Sequence, residues 1–69
     1  MKFAKILGKV FAEEILSTPH ERQNWRPLGP DDEIPPGDYR ALRDFYGTVS
    51  TDVVRAYKDE FNAILEKGK

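Results

Sequence analysis

The sequence contains no cysteine, which excludes disulfides and thiolate metal sites. Its single histidine, His20, cannot make a zinc site alone, and no carboxylates stand around it at ligand spacing. None of the five glycines belongs to a glycine-rich phosphate loop. No apolar run approaches the ~20 residues that a membrane-spanning helix needs, and Lys5 and Lys9 interrupt the only N-terminal candidate. Neither charge dominates: 11 Lys and Arg face 12 Asp and Glu, for a net of −1. Nucleic-acid binders of this size are usually strongly basic, because neutralising phosphates supplies most of their affinity. No nucleic-acid partner is expected, then, and no cofactor or metal. With no secretory signal, the expected location is the cytoplasm.

What is present fits one small domain over residues 1–69. A chain of this length buries only roughly 60% of its unfolded surface. Without disulfides or metal, a partner surface or an oligomer is the expected supplement. Four Phe, three Tyr and one Trp offer large apolar area for a core.

Hydrophobic periodicity predicts an all-α fold: a small three-helix domain with an additional short helical turn and a long proline-rich strap loop. In KFAKILGKVFAEEIL, Phe3, Leu7, Phe11 and Ile15 recur at steps of four, with Ile6 and Val10 beside them, which predicts a helix over 2–16. Gly8 weakens that helix by about 1 kcal/mol relative to Ala. Thr18 and Glu21 form a capping box with Pro19 at the first helical position, predicting a turn of helix over 19–24. Asp38 reads as the cap of a helix over 39–46, with Tyr39, Leu42, Phe45 and Tyr46 on one face and Gly47 ending it. Ser50 caps a last helix over 51–66, with Asp52 in its first turn. The predicted core is Phe3, Leu7, Val10, Phe11, Leu42, Phe45, Val54, Tyr57, Phe61 and Ile64.

Between these helices lies WRPLGPDDEIPPGDYR, residues 25–40, with four of the five prolines and the only tryptophan. Each proline removes a backbone donor and turns the preceding residue away from α. Extended backbone over 25–38 with turns at Leu28–Asp31 and Pro35–Asp38 is expected. Two readings stay open. The stretch is a strap that tucks Trp25 and Ile34 into grooves between helices, or a recognition loop on a helical platform.

Catalysis requires a nucleophile or base in a defended pocket, and the sequence provides none. His20 falls in an exposed capping position. Asp31, Asp32 and Glu33 lack the spaced ligands and glycine of a calcium loop and read as a solvated turn. The protein is therefore expected not to be an enzyme. Arginine beside tryptophan and tyrosine is the composition of protein-binding hot spots. The candidate partner-binding residues are accordingly Trp25, Arg26, Asp31, Asp32, Glu33, Tyr39, Arg40 and Arg43. Pairing of the arginines with Asp31–Glu33 across the loop is the plainer use of the same residues.

The pattern in WRPLGPDDEIPPGDYR, a tryptophan, then proline, an acidic turn, isoleucine and Gly-Asp, resembles a segment of small bacteriophage-encoded accessory proteins. The resemblance implies a non-enzymatic protein that binds a host or phage protein, often as an inhibitor, in the host cytoplasm. Two alternatives remain: a small structural or self-associating subunit whose N-terminal amphipathic helix packs in an oligomer, and a peripheral binder of membrane surfaces through Lys2, Lys5 and Lys9.

Overall fold

Period-3.6 patterning becomes three helices in the computed structural model, which describes residues 1–19, 26–29 and 31–68. Helix α1 spans Lys2–Ser17, α2 Pro36–Tyr46 and α3 Thr51–Lys67. No strand occurs among the described residues. The predicted helical turn over 19–24, with its Thr18–Glu21 box, lies outside them beyond Pro19, as does Trp25.

Helix α1 reaches α3 through small side chains. Ala4, Gly8 and Ala12, each four residues from the next, are all buried, followed by Ile15. A Cβ built on Gly8 would lie 2.5 Å from the Tyr57 carbonyl oxygen and 3.3 Å from the Phe61 nitrogen. Only glycine lets the two backbones come this close. Gly8 lies against Tyr57 and Phe61, and Leu16 against Gly68, so the two helices run in the same direction. Tyr57, Phe61 and Leu65 from α3 fill the space on either side of the small row.

This arrangement corrects the expected core. Leu42, Tyr57 and Phe61 are fully buried as predicted, and Phe3, Leu7, Phe11, Val54 and Ile64 are half-buried. Val10 and Phe45, however, are 46% and 63% exposed. Close contact through Ala4, Gly8 and Ala12 turns α1 so that Ile6 and Val10 lie on its outer side. Ile34, Val53 and Leu65 enter the core in their place.

Helix α2 begins at Pro36, three residues ahead of expectation, with Pro35 as its cap residue. A proline at the start sacrifices no hydrogen bond, because the first-turn N–H groups have no helical partner anyway. Asp38 thus sits inside the first turn rather than at the cap, and residues 36–38 are helix rather than part of a loop. Tyr39 N–H donates to Pro35 O at 2.9 Å. At the other end Gly47 adopts φ 80° and donates to Arg43 O at 2.8 Å, the expected left-handed stop. Ser50 Oγ accepts from Val53 N at 3.4 Å, the expected cap of α3. Met1 supplies no side-chain cap to α1. Instead the Tyr46 hydroxyl accepts from Ala4 N at 3.2 Å, which satisfies one orphan donor from across the fold.

Candidate functional site

The segment between α1 and α2 is held by α3. Asn62 makes two bonds to the Leu28 backbone: its Oδ1 accepts from Leu28 N at 2.8 Å and its Nδ2 donates to Leu28 O at 3.0 Å. One turn earlier, Lys58 Nζ donates to Gly29 O at 3.0 Å, with the side chain only 8% exposed. The buried aliphatic stem of a lysine covers apolar surface while its ammonium finds a carbonyl. Val54, Lys58 and Asn62 form a row at steps of four along one edge of the apolar stripe of α3. That spacing is visible in the sequence, but the row was not singled out there.

Next in the chain, a turn closes between Gly29 and Asp32. Asp32 N donates to Gly29 O at 3.2 Å, and Asp32 Oδ2 accepts from Gly29 N at 2.6 Å. The turn lies one residue beyond the expected Leu28–Asp31. Aspartate side chains stabilise such turns by bonding the backbone locally. Asp32 therefore has a structural use as well as a charge. Asp31 and Glu33 are exposed, and Ile34 is buried in the cluster with Ala4, Leu42 and Tyr57.

Where the chain enters α2, Asp32, Glu33, Ile34, Pro36, Tyr39 and Val54 line one open cleft of about 480 Å³. A second cleft of about 300 Å³, lined among others by Leu28, Arg55, Lys58 and Asn62, shares Val54 with it. The structure thus brings together three of the predicted residues, Asp32, Glu33 and Tyr39. Tyr39, predicted to share a helix face with Leu42, is 46% exposed. Leu42 is the buried residue of this helix, so the stripe it turns to the core is narrow. Arg40 and Arg43 are exposed on α2 beside Tyr39. Arg26 is exposed too, on the far side of Leu28 from the acidic turn.

Two features were not anticipated. Tyr57 donates its phenolic hydrogen to Asp38 Oδ2, tying α3 to the first turn of α2. Burial, then the hydrogen bond and negative charge of Asp38, then the charge of Glu14, push the Tyr57 phenol far above its ordinary range, so it stays neutral. The second is an apolar outer face shared by α1 and α2. Phe3 stacks on Phe45 with centroids 4.4 Å apart, and Phe45 meets Tyr46 edge-on at 4.8 Å. Beside them Ile6 is 51% and Val10 46% exposed. Among the described residues no three His, Cys, Asp or Glu side chains converge as metal ligands, and no helix is long and apolar enough to cross a membrane.

No family model matches this sequence, and neither curated proteins nor solved structures give a match.

Proposed function

We propose that this chain is a non-enzymatic protein-binding module that docks on a larger protein assembly and modulates or inhibits it. The observation that carries the reading is the half-exposed Tyr39, which overhangs the cleft of Asp32, Glu33 and Ile34 next to exposed Arg40 and Arg43. An aromatic that the fold leaves uncovered, beside arginines of one short helix, is the usual chemistry of a binding hot spot. The proline-rich segment acts as a strap in this reading: Asn62 and Lys58 pin one end, Ile34 anchors the other, and the acidic turn is displayed between them. Asp31, Asp32 and Glu33 then govern association rate and its salt dependence more than final affinity. The resemblance of residues 25–40 to bacteriophage accessory proteins supports the same class of activity.

The test is affinity capture from the native host, comparing the wild-type chain with Arg26→Ala/Arg40→Ala/Arg43→Ala. Removing a hot-spot arginine typically costs ~2 kcal/mol or more of binding, so the partner should be lost from the triple variant while its melting temperature stays close to wild type. Equal recovery of the partner by both proteins would show that this face is not the docking surface.

A further inference from the structure

Helix α1 carries two apolar faces in a domain that covers only one. The face toward α3 carries Ala4, Gly8, Ala12 and Ile15, all buried, with half-buried Leu7 and Phe11 packed beside them, whereas the bulky Ile6 and Val10 lie about half-exposed on the opposite side, next to half-buried Phe3 and its stacking partner Phe45. Helices that need cover on one side only carry their large apolar residues there. Here α1 carries large apolar residues on its outer side as well. The helix is also polarised in charge: Lys2, Lys5 and Lys9 precede Glu13 and Glu14.

We propose that this outer face of α1 pairs with the same face of a second copy of the chain, with the two helices antiparallel about a two-fold axis at the level of Gly8. In that register Ile6 lies beside Val10 of the second copy, and the contact occurs twice, as two-fold symmetry requires. Lys2 comes within one residue's rise of Glu13 of the second copy, again twice, and both residues lie on the same flank of the apolar face. A parallel arrangement would instead set lysines against lysines and glutamates against glutamates. An anionic lipid surface would meet Glu13 on the face it covers. The register has one unfavourable contact, since Lys9 lies near the axis beside its own copy. Phe45 extends the apolar area past the end of the helix. A stable interface takes about 800 Å² from each partner, a substantial part of the 5009 Å² accessible here. One helix face with the Phe45 ledge provides less, so the dimer is weak and reversible. This pairing uses a surface separate from the Tyr39–Arg43 face and does not depend on it.

Sedimentation velocity over concentrations from about 5 to about 500 µM, a range that brackets weak affinities, tests the proposal. The wild-type chain should pass reversibly from monomer to dimer. Ile6→Glu, at a half-exposed position that tolerates a polar residue, should weaken dimerisation at least tenfold with an unchanged helical circular dichroism spectrum. Lys2→Glu should weaken it as well, and Lys2→Glu/Glu13→Lys should restore it, because the paired charges then only exchange places. Lys9→Gln should tighten it by relieving the contact at the axis. A monomer at every concentration overturns the proposal, as does a dimer indifferent to Ile6→Glu or a double reversal that fails to restore pairing. Co-sedimentation with phosphatidylserine vesicles that Ile6→Glu abolishes, in a chain that stays monomeric, would assign the face to lipid instead. Capture of a partner through Arg40 and Arg43 should be unaffected by Ile6→Glu, so the two surfaces can fail separately.

Discussion

At Gly8 local preference and tertiary packing demand opposite things. Inside a helix glycine is worse than alanine by about 1 kcal/mol, so helix propensity alone predicts that Gly8→Ala stabilises the chain. The added methyl would lie 2.5 Å from the Tyr57 carbonyl oxygen, a backbone atom of a packed helix that has no rotamer through which to yield. Overpacking of this kind costs typically ~1–3 kcal/mol, and here it exceeds the propensity gain. Gly8→Ala should therefore lower the melting temperature, by about 4–8 °C for each kcal/mol of net loss in a domain of this size. Gly68→Ala makes the contrast. Its methyl would lie 2.5 Å from Leu16 Cδ1 and 3.1 Å from its Cγ, side-chain atoms that can turn aside as a backbone carbonyl cannot, so thermal unfolding should change less than in Gly8→Ala. A higher melting temperature for Gly8→Ala would refute the close approach of α1 and α3.

Among the elements, the described residues ahead of α2 are held to α3 through Asn62 and Lys58. Leu28 has both backbone polar atoms satisfied by the one amide of Asn62. Asn62→Ala strands them together at a half-buried position, where water partly replaces the lost partner, so the cost is about 1 kcal/mol, the low end for an unsatisfied buried group. Hydrogen exchange monitored by NMR should show a large loss of protection at the Leu28 amide in this variant, with the α1 and α3 amides lowered only by the change in global stability. An unchanged Leu28 rate would mean that Asn62 does not hold the segment. Asp38 after Gly37 has the composition of an N-cap, and the sequence reading placed the helix start there. Two consecutive prolines also suit a first helical turn, since neither position needs a donor. The structure takes that option, which frees Asp38 to accept from Tyr57.

For the molecule as a whole, the Tyr57–Asp38 bond links global stability to alkaline pH. The phenol is raised in the folded state by burial, by the Asp38 hydrogen bond and charge, and by Glu14, while in the unfolded chain it titrates near its ordinary value of about 10. The contribution is therefore fully present below that value. Above it the unfolded state loses a proton that the folded state keeps, so stability falls as pH rises. Urea denaturation between about pH 8 and pH 11 should show this decline in the wild-type chain. Tyr57→Phe should be less stable at pH 8, through loss of the bond to Asp38, and its stability should fall less steeply toward pH 11. Parallel pH profiles would exclude Tyr57 as the source.

The sequence alone determined the all-helical class, the approximate spans of α1 and α3, the Ser50 cap and the Gly47 stop. These follow from periodicity and from side chains that bond their own neighbours, so a linear reading reaches them. Asp31, Asp32 and Glu33 were legible as a solvated turn, because charge and proline composition keep a segment at the surface, and all three are exposed. Which side of α1 turns inward is set by packing between the helices. Large apolar residues recur around Phe3, Leu7 and Val10 as well as Ile15, and periodicity weighs bulk, whereas two close-packed backbones select the small row of Ala4, Gly8 and Ala12. The same contact displaced Val10 to the surface, and the docking of α3 brought Lys58 and Asn62 against the backbone of a segment roughly thirty residues away in the chain. Bonds of that reach depend on where two helices dock, and no local pattern encodes them.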